Sequence, residues 1–347
     1  VYTPTPKWAF QIFLFMQKSF LIWDFINKNL QQSIAVMLLY FLESKGSSPG
    51  RQGFFIAVNA NGEMEGSVGG GIMEHKFVEM AKERLRLGKL ESGVKKQVHD
   101  KSAANNQSGM ICSGEQTILL YPLQEKDSNT IEKIIQSLEE NKNGTLVLSP
   151  NSLHFSEVIP ENDFEFIFQS EENWIYKEKT GHKNKLFIIG GGHCSVAFSK
   201  LMRTMDFYVQ VYDDRENLKT MLGNEDVHEK HFIKDYSALN DKIPSGANHY
   251  IVIMTFGYRT DDIALKALLN KKFKYIGVLG SKKKMEKLFE DYRLEGIEEA
   301  ILQRIHTPIG LDIKSQTPEE IAVSIAAEII KVKNSVATNY TNNTKIR

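Results

Sequence analysis

Apolar and polar positions in the second half of the chain follow a strand, loop, helix, strand order. Residues 186–189 form a short apolar run, three glycines follow, and apolar side chains then recur every four residues. The recurrence at Ala197, Leu201 and Met205 places them on one face of a helix. Residues 208–212 form the next predicted strand, and further strands and helices alternate after it. The pattern predicts a parallel, doubly wound sheet.

The glycine loop between the first strand and its helix indicates an anion site. Gly190 and Gly192 let a backbone approach a pyrophosphate at the start of a helix, where unpaired N–H groups and the dipole favour negative charge. His193 would place an imidazole beside the bound anion. The third glycine of the GxGxxG pattern is replaced by Ser195, so the flanking strand and helix carry the argument. The alternative is a tight turn that binds nothing.

Two charged residues follow the second strand. Asp213 is placed where an acid reaches a ribose-type hydroxyl. A phosphate would prefer Arg215. The sequence leaves the ligand open.

Three lysines begin the helix after the strand 274–280. Ser281 can cap this helix, and Lys282, Lys283 and Lys284 fill its first turn, where the helix dipole disfavours cations. We therefore expect an anionic ligand group between this helix start and the glycine loop. Removal of the three charges should then raise the stability of the ligand-free protein. The alternative is that the lysines point into solvent.

The first half of the chain predicts a mixed α/β domain. Residues 16–30 have the pattern of an amphipathic helix, and Lys18 and Asp24 interrupt the apolar N-terminal segment before it is long enough to span a membrane. Residues 63–88 pass from a strand through glycines into a helix. Further strands are predicted at 33–44, 54–58, 116–123, 145–149, 164–169 and 174–178, and a helix at 129–140.

These patterns predict four segments in the chain. They are an N-terminal extension and helix (1–30), a mixed α/β domain (31–182), a Rossmann-like domain (183–333) and a mobile polar tail (334–347). Residues 1–15 begin without Met and are interpreted as an upstream extension.

Composition narrows the partners and the compartment. The chain has 347 residues, of which 43 are basic and 43 acidic, so no global charge favours nucleic acid or an anionic membrane. Its two cysteines, Cys112 and Cys194, cannot build a disulfide framework. A reducing, cytoplasmic location is therefore predicted. The helix dipole at the start of the second-domain helix would lower the pKa of the Cys194 thiol, whereas its alternative role is packing.

Seven motifs, in the same order, resemble the XdhC/CoxI family of xanthine and carbon monoxide dehydrogenase maturation factors. The resemblance covers about residues 34–332, and the motifs are GSSPGRQG, GSVGGGIMEH, MICSGEQTILLYP, IIGGGH, VYDDR, YIGVLGSKKK and TPIGLDIKSQTPEEIAVSIAAEII. Each motif alone is weak, but their shared order across two domains is specific.

The resemblance implies a chaperone without catalytic residues of its own. Such a protein binds molybdenum cofactor (molybdopterin), protects it, holds it during sulfuration and hands it to a molybdenum hydroxylase resembling xanthine dehydrogenase. We expect the cofactor between the two domains. A sulfur-donating desulfurase as a second partner and a homodimer are left open.

The resemblance also adds site residues in the first domain. Gly69, Gly70 and Gly71 form a second glycine loop, and Glu74 either caps the following helix or accepts bonds from a pterin. Cys112 is the candidate to ligate molybdenum or accept sulfur. The alternative for this thiol is a small buried apolar residue.

The chain departs from the family pattern at four places. Ile72 stands where the carbon monoxide dehydrogenase branch has a cysteine, so the chain is more similar to the xanthine dehydrogenase branch. Ser113 replaces one glycine of CGG, and Cys194 stands where Val is common. The segment 255–259 lacks the family's histidine.

Two other functions stay open on the sequence alone. The glycine loop also suits an NAD(P)-dependent oxidoreductase, although no catalytic acid–base group is evident in the first domain. A non-catalytic scaffold that docks a dehydrogenase is the third possibility.

Overall fold

The structure is a computed structural model that describes residues 18–46, 50–89, 91–98 and 114–335. The chain divides into two compact units, residues 1–181 and 182–347. Within the described residues, the helices are too short or too polar to cross a membrane.

The described residues of the first unit form two antiparallel sheets and three α-helices. One sheet has the order β3-β2-β1-β5-β4 and the other the order β7-β6-β9-β8. The strands are β1 (Val36–Gly46), β2 (Phe55–Asn59), β3 (Met64–Gly66), β4 (Gly93–Val98), β5 (Gly114–Leu123), β6 (Gly144–Ser149), β7 (Ser152–Ser156), β8 (Phe164–Ser170) and β9 (Asn173–Thr180). The helices are α1 (Lys18–Gln31), α2 (Gly71–Arg86) and α3 (Ser128–Glu139).

Strand β1 is central to this unit because both of its faces are buried. Leu38 and Tyr40 face a core shared with α1, α3 and the second sheet, whereas Leu39 and Phe41 face a core shared with α2. A strand covered on both faces has a continuous apolar run rather than an alternating one. The predicted amphipathic helix is confirmed as α1, which buries Trp23 and other apolar side chains.

In the second unit, the residues described up to 335 form a six-stranded parallel sheet with the order β12-β11-β10-β13-β14-β15. Its strands are β10 (Asn184–Ile189), β11 (Phe207–Asp213), β12 (Glu229–Phe232), β13 (Gly246–Ile253), β14 (Phe273–Val278) and β15 (Ile305–His306). Its helices are α4 (His193–Arg203), α5 (Lys219–Leu222), α6 (Leu239–Lys242), α7 (Tyr258–Leu268), α8 (Lys282–Leu294), α9 (Glu299–Leu302) and α10 (Pro318–Asn334).

Helices cover both faces of the parallel sheet. Leu186 and Ile188 of β10 pack toward α4 and α10, and Phe187 and Ile189 pack toward α7 and α8. The strand order reverses between β10 and β13, which both run parallel in the same direction. The predicted fold class, a mixed α/β domain followed by a Rossmann-like doubly wound sheet, is therefore confirmed.

Two histidines in edge-to-face contact, the buried His182 and the half-buried His228, lie at the amino edge of this sheet. The ring centroids of His182 and His228 lie 4.7 Å apart, and the Tyr208 ring stacks on His228 at 4.5 Å. The Val209 N–H donates to His228 Nδ1 over 2.9 Å, which requires a neutral imidazole at that nitrogen. Burial, with Arg203 nearby, lowers the pKa of His182 to about 4 and that of His228 to about 3.

We predict that acid destabilises this unit before most carboxylates titrate. An unfolded histidine has a pKa near about 6.5, so below that pH the unfolded chain binds more protons than the folded one. The free energy of unfolding should fall by about 2 kcal/mol per histidine between about pH 6.5 and 5. Urea unfolding measured at several pH values checks this, and His182→Gln should flatten the dependence. Equal slopes for the parent and the variant would contradict it.

Candidate functional site

The turn from β10 into α4 has room for glycine alone at its first position. Gly190 has a φ of +112°, and its N–H donates to the carbonyl oxygen of Tyr212 over 2.8 Å. A Cβ at Gly190 would collide with the carbonyl oxygen of Met254 at the end of β13. The glycine therefore lets the ends of three neighbouring strands meet at one point.

The start of α4 faces open space. Gly192 is the N-cap residue, and a Cβ built on it would meet nothing within 4 Å. His193, the first helical residue, is exposed beside it. An eleven-residue helix with an open first turn can receive an anion. Both residues thus lie where the sequence predicts a bound phosphate.

Asp213 is fully buried, and its own chain occupies both carboxylate oxygens. Oδ2 accepts bonds from the Gly191 N–H and from Arg215 Nη2, each over 2.7 Å. Oδ1 accepts bonds from the N–H and from Nε of Arg215, over 2.9 and 2.8 Å. Burial alone would raise the pKa of Asp213, but these bonds outweigh it and lower the pKa. A ribose hydroxyl could bind here only in place of one of these partners, so the carboxylate positions the glycine loop and Arg215.

Arg215 and Phe256 meet beside this carboxylate. The Arg215 side chain is 39% exposed, and its Cζ lies 6.0 Å from the centroid of the Phe256 ring. Phe256 follows β13 and is 90% exposed. Sequence reasoning noted the segment 255–259 only for its missing histidine and missed this aromatic. An aromatic residue between an apolar strand and a glycine was the available signal.

The starts of α7 and α8 share a buried ion pair. Lys284 Nζ lies 2.5 Å from Asp261 Oδ2, and Asp261 is 1% exposed. Asp261 Oδ1 also accepts from the N–H of Thr255 over 3.1 Å and from its hydroxyl. Asp261 thus supplies Lys284 with a counter-charge from within the chain, which the sequence did not predict. For Lys284 we therefore expect loss of the charge to lower stability, contrary to the expectation for the three lysines together.

The other residues at the start of α8 are exposed. The Ser281 hydroxyl caps the helix, as predicted, by accepting from the Lys284 N–H over 3.4 Å. The Lys282 side chain is 82% exposed, and its Nζ lies 3.9 Å from Oε1 of Glu286 on the same helix. Lys283 is also exposed. Their contact with an anionic ligand stays a prediction.

A second open glycine loop lies in the first unit, between β3 and α2. Gly69, Gly70 and Gly71 all have positive φ angles, of 114°, 71° and 73°. A Cβ on Gly70 or Gly71 would meet nothing within 4 Å, so the loop is open on one side. Only glycine adopts this run of conformations readily.

Glu74 folds back and holds this second loop. Its Oε2 accepts from the Ser67 hydroxyl over 2.7 Å and from the N–H groups of Val68 and Gly70 over 2.9 and 3.0 Å. Burial raises the pKa of Glu74, but the three bonds outweigh it and lower the pKa. These partners precede the helix, which has no side-chain cap hydrogen bond, so Glu74 holds the loop before α2. Its contact with a pterin stays a prediction.

Of the two cysteines, the structure describes Cys194. Cys112, the predicted molybdenum ligand, lies outside the described residues. Cys194 is half-buried against the core of α4 and α10, and burial raises the pKa of its thiol. Of the two alternatives for Cys194, the structure shows packing, and burial together with the charge of Glu319 favours a raised pKa for its thiol. Within the described ranges, no cluster of three or more His, Cys, Asp or Glu side chains could hold a metal ion.

The fold and its open glycine loop define a Rossmann-type unit with its candidate site at the switch point of the sheet. The family model for the XdhC Rossmann domain matches residues 186–329, and that for the XdhC and CoxI family matches residues 30–93. The two matches together span more than half of the chain. The chain belongs to the XdhC and CoxI family.

Two curated relatives and a solved structure are among the proteins similar to this chain. The uncharacterized protein YqeB of Escherichia coli is 23% identical over 88% of this chain and 45% of its own length. A probable xanthine dehydrogenase subunit of Bacillus subtilis is 27% identical over 47% of each chain. The chain thus spans about half the length of these relatives. A crystal structure of a xanthine dehydrogenase from Bacillus halodurans has a TM-score of 0.65 and 21% identity, over 92% of this chain and 98% of that one. It shares the fold.

We predict that Lys284→Gln destabilises the protein by about 3 kcal/mol, because it leaves the buried Asp261 carboxylate without its partner. Urea unfolding at neutral pH measures this. Lys283→Gln is the matched control and should change the free energy of unfolding by less than about 0.5 kcal/mol, as surface substitutions do.

The double variant Asp261→Asn with Lys284→Gln should recover much of the loss, since the uncompensated charge is removed. If Lys284→Gln is as harmless as Lys283→Gln, the ion pair has no structural role.

Proposed function

We propose that this chain is an accessory protein that binds molybdenum cofactor and delivers it to a molybdenum hydroxylase resembling xanthine dehydrogenase. The match of both parts of the chain to one family carries the proposal. The name of the Bacillus subtilis relative, a probable xanthine dehydrogenase subunit, points to the same class of partner enzyme. Delivery is a transfer, so no catalytic residue is assigned.

The described residues fit the polar part of such a cofactor. Molybdopterin carries a terminal phosphate, and the open N–H groups at the start of α4, with Gly192 and His193, suit a phosphate. The second open loop, at Gly70 and Gly71, offers another backbone surface that a ligand could approach closely.

The molybdenum and sulfur atoms of the cofactor need a different kind of ligand from its phosphate. We propose that Cys112 ligates molybdenum or accepts sulfur, because a thiolate is a soft ligand. The other cysteine, Cys194, is packed against the core and has a raised pKa. A desulfurase partner, a homodimer and a cytoplasmic location stay predictions from the sequence.

We predict that the purified chain retains molybdenum cofactor. It would be incubated with the cofactor and, separately, with NADH and NADPH, desalted, and assayed for pterin, molybdenum and nicotinamide. Retained pterin and molybdenum, followed by recovery of activity when a cofactor-free hydroxylase is added, is the expected result. Retained nicotinamide alone would favour an oxidoreductase, and retention of neither would favour a docking scaffold.

Serine variants of the two cysteines give a matched comparison in the same experiment. Cys112→Ser should lower retention or transfer of molybdenum while the melting temperature stays unchanged. Cys194→Ser should leave retention and transfer at the parent level, because that thiol packs against a helix. Equal molybdenum content in both variants and the parent would remove Cys112 from the proposal.

A further inference from the structure

Helix α10 has an exposed apolar stripe on the side that faces away from the sheet. Val323 is 50% exposed and Ile330 is 37% exposed, and the half-buried Ala327 lies between them. Residues three and four positions apart share one face of a helix, so the three side chains form a continuous stripe. The opposite face of α10 packs on the sheet through Ala322, Ile325, Ala326 and Ile329. A surface helix with one buried face normally has a polar outer face, which α10 lacks in its middle.

The loop before α10 widens this apolar surface. Leu311 is 37% exposed and Ile313 is 49% exposed. The Leu311 N–H donates to the Ser324 carbonyl oxygen over 3.2 Å, and the Ser324 hydroxyl donates to the Leu311 carbonyl oxygen over 2.6 Å. These bonds hold the loop against the helix beside the stripe. We call the exposed set the α10 face, and its members are Leu311, Ile313, Val323, Ala327 and Ile330.

Charges of opposite sign lie at the two ends of the α10 face. Glu319 and Glu320 are exposed in the first turn of the helix, and Lys331 and Lys333 are exposed in its last turn. Within the described residues, none of these four side chains forms an ion pair. Glu320 and Lys331 are separated by about 17 Å of helix at about 1.5 Å per residue, so they cannot pair within one chain. The arrangement favours the dipole of α10 and leaves both charged ends available to a partner.

Two copies of α10 complement each other when they pack antiparallel across a two-fold axis. The first turn of one helix then meets the last turn of the other. On the two sides of the stripe, Glu320 approaches Lys331 of the second copy, and Glu319 approaches Lys333 of the second copy. The small Ala327 at the middle of the stripe lets the helices come close and leaves room for the valine of the second copy.

The distribution of charge selects a second copy among the occupants that an apolar surface admits. A uniformly acidic or basic partner would meet like charge at one end of the α10 face, which is costly. An antiparallel copy meets opposite charge at both ends. A two-fold interface requires a surface that complements itself in this way, and two-fold dimers are the commonest oligomers of soluble proteins.

We propose that two copies of this chain associate through the α10 face, with their α10 helices antiparallel. The inference gives the homodimer a specific interface. It does not depend on the proposed delivery of molybdenum cofactor, and no chemical step is assigned to the face.

Sedimentation equilibrium of the full chain, from about 1 to about 100 μM, tests the interface. The parent should show a monomer–dimer equilibrium. Val323→Lys should raise the dimer dissociation constant about tenfold or more, because it places two like charges at the middle of the interface. Val158→Lys is the matched control, since it introduces the same charge at a valine that is 74% exposed in the first unit. It should leave the dissociation constant at the parent value.

A charge exchange tests the antiparallel arrangement. Lys333→Glu should weaken the dimer several-fold, because the new carboxylate faces Glu319 of the second copy. Adding Glu319→Lys to the same chain should restore the parent dissociation constant, since opposite charges then meet again. Glu320 is left unchanged because it accepts the Thr317 N–H at the start of the helix. Damage to α10 alone would not be repaired by the second reversal.

A parent that stays monomeric throughout this range overturns the inference, and so does a Val323→Lys variant that dimerises like the parent. Melting temperatures will verify that the variants fold, as expected for substitutions at exposed positions. Should Val323→Lys fail to fold, Ile330→Lys replaces it with the same expected result. Retention of molybdenum cofactor by a monomeric chain would reject the interface and leave the proposed function standing.

Discussion

The buried carboxylate of Asp213 is the constraint on which the candidate site depends. It accepts four hydrogen bonds, one from the Gly191 N–H and three from Arg215. Charge-assisted bonds of this kind are strong, and they keep a carboxylate ionised where burial would favour the neutral acid. The position of the glycine turn, and with it the open start of α4, follows from this anchor. So does the orientation of the guanidinium beside Phe256.

Carboxylates hold other loops at the same edge of the sheet. Asp261 binds both Thr255 and Lys284, which ties the loop after β13 to the start of α8. Glu328 on α10 accepts from the Gly310 N–H over 2.9 Å and from the Tyr275 hydroxyl, and its Oε1 lies 3.4 Å from His306 Nδ1. Loops tied in this way are positioned before a ligand arrives, which lowers the entropy that binding must overcome.

Local patterns were sufficient for the fold of the second unit. The order of apolar runs, glycines and helix-spaced residues in 185–215 predicted β10, α4 and β11, because each depends on neighbours in sequence. The strands β12 and β15 were missed, since four and two residues carry too little periodicity. The edge strand β4, rich in lysine, was missed for the same reason.

The candidate site was predicted less completely, because side-chain partners are distant in sequence. Asp261 and Lys284 are 23 residues apart, so the pattern showed three lysines at a helix start and not the acid that neutralises one of them. Asp213 was placed correctly at the end of β11, but its partners could not be seen in a pattern of strands. Glu74 was a capping candidate because a cap is local, but its hydrogen-bond partners lie in the loop before α2.

We propose that the carboxyl edge of the parallel sheet receives the cofactor. Amide hydrogen exchange of the chain, with and without bound molybdenum cofactor, tests this most directly. We expect slower exchange in residues 190–196 and 254–258 when the cofactor is bound, because a ligand at the start of α4 shields both loops. Retention of the cofactor with unchanged exchange in both segments would contradict binding at this edge.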